Sequence, residues 1–214
     1  MNAREALVEH DGCIVELGRA LTDEEWAAPS LCAGWTNHDV LSHVVAGYDV
    51  ALSRFASALA RSRFSFDRAN DRVTTNQAAA GSPTELLDRL DGMRGRPKGF
   101  ARLLPATVLL GDHTIHLLDI ALPLGKDAGT SPETLRRILH FELTLPNPFI
   151  PIRPTAKGLS LTATDVDWAR PAQGPEVRGR AEHLISVLAG RTLAYEWLEG
   201  EGVEVLRRRW AERR

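Results

Sequence analysis

Apolar residues return at spacings of three, four and seven from the start of the chain. Ala6, Leu7, Cys13, Ile14, Leu17 and Leu21 form the stripe of an amphipathic helix over residues 3–20. Thr22 and Glu25 match a capping box and predict a short helical turn that ends near Pro29. Thr36, followed by Asp39, predicts a second helix, which runs to about Ala60 because only Gly47 interrupts its pattern. Phe66, Asn70, Val73 and Gln77 keep helical spacing through a more polar stretch and predict a short helix beside a pocket. Ser82-Pro83-Thr84-Glu85 opens a helix over about 83–95. Pro105 opens the next, which carries Val108 to Leu122 and stops at Pro123-Leu124-Gly125, and Ser131-Pro132-Glu133 starts one more, to about Phe141.

The period then changes. Prolines at 146, 148, 151 and 154 place the domain boundary, since no helix interior accommodates such a run. Leu159, Leu161 and Ala163 alternate with Ser160, Thr162 and Thr164 as in a half-buried strand, and Glu176-Val177-Arg178 suggests a second. Residues 180–189 read as a helix that buries Leu184, Ile185 and Leu188 and closes at Gly190. The charged tail reads as a short helix or strand. The fold class is therefore α+β: a helical bundle over residues 1–145, followed by a small α/β domain over 146–214.

Charge and composition narrow the partners. A net charge of −2 offers no basic face for nucleic acid. No apolar run approaches the roughly 18 residues that span a bilayer, and the charged N-terminus has no leader-like stretch, so a cytoplasmic protein is expected. In that compartment Cys13 and Cys32 are expected as thiols, with Cys32 packed in a loop beside Trp35.

The stretch after Pro105 carries the chemistry. Val108, Leu109, Leu110, Ile115, Leu117, Leu118, Ile120 and Leu122 make that helix apolar nearly all round, hence buried. Asp112, His116 and Asp119 stand at i, i+4 and i+7 as its single polar stripe. A buried carboxylate must meet a donor, a cation or a metal, and an Asp–His hydrogen bond competes evenly with a metal site on that pair alone. His43, with Val40 and the side-chain-free Gly47 on the same face of the second helix, supplies a third ligand. Two imidazoles and a carboxylate suit Zn²⁺ first among divalent metals and leave a coordination position open, although Fe²⁺, Ni²⁺ and Mn²⁺ use the same donors. Asp119 is placed either to orient the ring of His116 by accepting its second N–H or, equally, to cap or to pair with an arginine. His113 points about 100° away from Asp112 and is expected at a helix interface, and His10, His38, His140 and His183 are read as surface residues. Asn70, Gln77, Arg178 and Arg191 are the weaker candidates for contacting substrate.

Three segments resemble a known family. L-T-D-E-E-W-A-A-P-S-L-C-A-G-W-T-N-H-D-V-L-S-H (21–43) is similar to the hallmark of the DinB-like, mycothiol-dependent maleylpyruvate isomerase family. G-D-H-T-I-H-L-L-D-I-A-L-P-L-G (111–125) resembles its second motif, and G-L-S-L-T-A-T-D-V-D-W, G-P-E-V-R-G and L-A-G-R (158–191) resemble its C-terminal domain. The resemblance implies a DinB-like four-helix bundle carrying a divalent metal on His43, Asp112 and His116, with a small α/β domain behind it. Asp112 stands where the isomerase has glutamate, one methylene longer.

The implied activity is that of a transferase or isomerase using mycothiol as co-substrate against a small electrophile. A free thiol with a pKa near 8.5 is mostly protonated at pH 7, and coordination to a metal deprotonates it. Two other readings stay open: a hydrolase using metal-bound hydroxide, and a non-catalytic bundle that binds metal or forms a homodimer.

Overall fold

Asn2, Thr22, Thr36 and Ser82 each start a helix with a reciprocal capping box, their side chains accepting from the third helical N–H while Glu5, Glu25, Asp39 and Glu85 reach back. These local signals set the helix starts in the computed structural model, which describes residues 1–144 and 152–212. The chain divides into two compact units, Met1–Gly129 and Thr130–Arg214.

The first unit holds α1 (Ala3–Arg19), α2 (Asp23–Ala27), α3 (Asn37–Asp49), α4 (Leu52–Arg61), α5 (Phe66–Ala78), α6 (Pro83–Asp91) and α7 (Ala106–Ala121). Helices α1, α7, α3 and α6 pack in a closed circuit, each against the next, which makes a four-helix bundle; α5 lies on α3 and α4 beside it. Leu7, Leu41, Leu86, Leu90, Leu110, Leu117 and Leu118 fill the core. Helix α7 is buried along almost its whole length, as its all-round apolar pattern predicts. It stops where Leu122–Leu124 tightens into a 3₁₀ turn and Gly125 takes a left-handed φ of 63°.

The second helix departs from its expected length. A helix to Ala60 would need the Tyr48 carbonyl to accept from Leu52; instead it accepts from the N–H groups of Lys98 and Gly99. Val50 and Ala51 are extended, so α3 ends and α4 starts afresh. Gly99 is required there, because a Cβ on it would meet the backbone of Val50. The helix from Pro83 is shorter than expected and ends at Asp91.

The second unit holds α8 (Pro132–Thr144), α9 (Ile152–Thr155), β1 (Ser160–Ala163), β2 (Ala169–Arg170), β3 (Glu176–Gly179), α10 (Ala181–Leu188) and α11 (Gly202–Ala211). Its sheet has the order β2-β1-β3: β1 runs parallel to β3 with Leu161 opposite Val177, and antiparallel to β2 with Leu161 opposite Arg170. Alternation along β1 buries Leu161 and Ala163 on one face, while the two-residue β2 is too short to show a period. Helix α8 falls with this unit rather than with the bundle because its apolar face, Ile138, Leu139 and Leu143, lines a small hollow with Ile152, Ile185 and Leu188. The division thus falls at Gly129 and Thr130, ahead of the proline run. Prolines 146, 148 and 151 lie outside the described residues, and Pro154 sits in the single turn of α9. Among the described residues no helix is long and apolar enough to cross a membrane.

Candidate metal centre

His43 sits midway along α3 and Asp112 and His116 one turn apart on α7, two helices that pack together in the bundle. One nitrogen or oxygen from each lies within 4.8 Å of the others. Nε2 of His43 is 3.9 Å from one oxygen of Asp112, and Nε2 of His116 is 3.7 Å from the other. These gaps are too long for hydrogen bonds. They approach the separation of about 3.3 Å between two ligands each about 2.0–2.1 Å from a tetrahedral Zn²⁺. Two imidazoles and one carboxylate are also a donor set that divalent transition metals accept. The residues present therefore fit a metal ion.

The surroundings would keep these three side chains able to act as ligands. Nδ1 of His116 lies 3.0 Å from the carboxylate of Asp119, which is fully buried. With the Nδ1 proton donated there, Nε2 turns its lone pair toward Asp112. The side chain of Asp112 is 39% exposed, against 15% for His43 and 9% for His116, so the carboxylate is the candidate ligand most open to solvent. Gly47, one turn beyond His43 on the same face, has open space where a Cβ would stand.

Sequence reasoning missed the aromatic wall. The Trp35 ring centre is 5.3 Å from that of His43 and 6.4 Å from that of His116, nearly parallel to the latter at 26°. The two imidazoles meet edge to face at 4.6 Å. Trp35 is fixed from three sides: its indole N–H donates to Asp71 on α5, its backbone N–H donates to Cys32, and its carbonyl accepts from Ser30. The loop itself is pinned to α7, since Leu31 N–H donates to the Asp119 carbonyl. The available signal was position, an aromatic residue directly before the N-cap of the helix that carries His43. Cys32 is half-buried in that loop, and both cysteines are thiols.

A second group was misjudged. His10, expected at the surface, is 3% exposed, and burial, then the nearby His113, pulls its pKa down to about 4 against the opposing charge of Asp11. Its helix turns it inward one position after Glu9, which the charged neighbourhood conceals. His113 is buried as an interface residue: Nδ1 lies 2.7 Å from Asp11. Burial lowers its pKa, but the charge and hydrogen bond of Asp11 outweigh that, and the net shift is upward. His38 is half-buried with Nε2 against the Gly81 carbonyl, His183 is half-buried beside Trp197, and His140 is exposed as expected.

The weaker substrate candidates separate. Asn70 is half-buried on α5, next to the Asp71 that reaches Trp35. Gln77, on the same helix, turns its carbonyl oxygen to the guanidinium of Arg89 at 2.7 and 3.0 Å, and Arg89 also pairs with Asp49. Gln77 therefore ties α5 to α6. Arg178 and Arg191 lie in the second unit, Arg178 on β3 near Glu176 and Arg191 donating to the Ala189 carbonyl.

Residues 12–110 match the family described as the mycothiol maleylpyruvate isomerase N-terminal domain. The matched span contains His43 and ends two residues before Asp112. Among solved structures, a crystal structure of a histidine-to-alanine mutant of mycothiol-dependent maleylpyruvate isomerase is similar, with a TM-score of 0.58 and 17% identity over 94% of this chain and 93% of that one. That likeness extends the shared fold to both units. Among curated protein sequences, none matches.

Proposed function

We propose, from the match of residues 12–110 to the mycothiol maleylpyruvate isomerase N-terminal domain family, that the chain is a metal-dependent enzyme that uses a small thiol, mycothiol by that likeness, against a small electrophile. The convergence of His43, Asp112 and His116, with His116 held by Asp119, carries this reading. These three side chains would hold the ion, Zn²⁺ before other divalent metals, and leave one position for a thiol. When bound, the ion supplies the positive charge that favours the thiolate form of a thiol coordinated to it.

The protein's own residues divide the remaining work. Asp119 keeps the Nδ1 proton of His116, so Nε2 stays a ligand. Trp35 walls the two imidazoles and keeps water from that side. The exposed side of Asp112 and the gap beside Gly47 leave the approach for the thiol. The sulfur would form a bond to the electrophilic carbon of an activated double bond while the π pair shifts onto the conjugated carbonyl oxygen. Protonation of that enolate from water would end a transfer, whereas rotation about the former double bond and expulsion of the thiolate as the double bond re-forms would complete an isomerisation.

A screen of zinc-loaded protein against electrophiles, with mycothiol compared to a simpler thiol, tests the proposal. Turnover that requires both zinc and mycothiol supports it. Hydrolysis without thiol favours hydroxide chemistry at the same centre, and metal-independent behaviour overturns the reading.

A further inference from the structure

Behind the candidate metal centre lies a second polar group that the proposed chemistry does not use. Asp11 on α1 is fully buried and accepts three hydrogen bonds of 2.7 Å, from the Tyr48 hydroxyl, the Gly95 N–H and Nδ1–H of His113. The donors come from α3, from the turn after α6 and from α7, so three helices of the bundle and the turn that follows the fourth meet at this carboxylate. The Gly95 turn is shaped for its part. Its φ is +62°, a Cβ there would strike Val8, and its carbonyl accepts from Arg4 on the same helix as Asp11. The Tyr48 ring, 4.9 Å from that of His113, completes the packing.

Two of these donors share helices with the candidate ligands. Tyr48 stands five residues after His43 on α3 and His113 one after Asp112 on α7. At about 100° per residue, those offsets turn the donors about 140° and about 100° away from the ligands. Each helix therefore shows one side to the centre and another to Asp11. A carboxylate accepting from three elements fixes both the separation and the rotation of those elements, which apolar packing alone specifies less sharply.

We propose that Asp11 is a positioning residue for the metal centre, a buried acceptor that sets α3 against α7 and thereby the spacing of His43, Asp112 and His116. The inference rests on the reading of those three residues as ligands. Ligand distances at such a site are tolerant to only about 0.2 Å, so a small shift of either helix changes affinity and geometry.

Three proteins decide it: wild type, Asp11→Asn and Leu86→Ala, the last a truncation of a fully buried α6 leucine. Melting temperature, zinc affinity by chelator competition and the visible absorption spectrum of the Co²⁺-loaded protein are measured for each. Asp11→Asn is expected to weaken zinc binding about 10–100-fold and to move the Co²⁺ spectrum, whereas Leu86→Ala lowers the melting temperature with both at wild-type values. A destabilised Asp11→Asn with wild-type affinity and spectrum overturns the inference and leaves the metal reading standing. Wild type that binds neither ion overturns both. Should Asp11→Asn fail to fold, Tyr48→Phe removes one donor: a smaller change in the same direction supports the inference, and an unchanged affinity and spectrum overturn it.

Discussion

His116 and Asp119 lie one turn apart on α7, with Nδ1 of the ring 3.0 Å from a carboxylate oxygen that no solvent reaches. The pair determines which ring nitrogen faces Asp112, and so whether the two-turn stripe can act as a ligand set or only as a structural hydrogen bond.

Replacing Asp119 by Ala removes that acceptor and leaves the His116 tautomer unassigned. Zinc affinity measured by chelator competition is expected to fall about 10–100-fold, the usual effect of losing such an outer partner, with the helix content unchanged by circular dichroism.

Trp35 faces both imidazoles, so its emission should report the ion. Addition of Co²⁺ or Cu²⁺ to the wild type is expected to quench part of the tryptophan fluorescence. Trp35→Phe should lose that part while binding the metal, as followed by equilibrium dialysis; quenching that survives in the variant would assign it to another indole.

Tyr48→Phe removes one of the three donors to Asp11 and leaves the phenyl ring in place. A buried hydrogen bond to a carboxylate is worth about 1.5–3 kcal/mol, so urea unfolding at pH 7 should show a loss of that order, with the m-value unchanged.

His10 gives the stability a pH dependence of known sign. Its pKa of about 4 in the folded chain lies below the ordinary 6.5, because burial first and His113 second disfavour the charged ring, against Asp11. Below pH 6.5 the unfolded chain takes up a proton that the folded chain refuses, so stability falls as the pH drops toward 4 and the contribution levels off beneath that. Between pH 7 and pH 4.5 the wild type is expected to lose on the order of 2–3 kcal/mol more than His10→Gln, measured by urea unfolding at both values. Equal losses would show that His10 titrates normally in the folded chain.

Much of this organisation was legible in the sequence, for local reasons. Caps and prolines mark the helix starts without tertiary help, because a cap side chain accepts from an orphan N–H and a proline has no N–H to leave orphaned. The Asp112, His116 and Asp119 stripe stands out because most of α7 is apolar. What was hidden depends on distant partners. The break at Val50 comes from Lys98 and Gly99 capturing the Tyr48 carbonyl, and nothing near Val50 announces it. Asp11 sits four residues after Leu7 and three before Ile14, on the buried stripe, but its charged neighbours read as a solvated face until Tyr48, Gly95 and His113 are seen to close on it. His43 drew its support from the resemblance and from the gap at Gly47, since a lone histidine has no periodic signal of its own.

Calorimetric titration of mycothiol into protein loaded with one zinc per chain, repeated in buffers of different ionisation enthalpy, bears most directly on the central claim. Saturable binding with release of about one proton per chain is expected, absent from His116→Ala and from metal-stripped protein. No binding, or binding that is indifferent to zinc, would contradict a metal centre that activates a thiol.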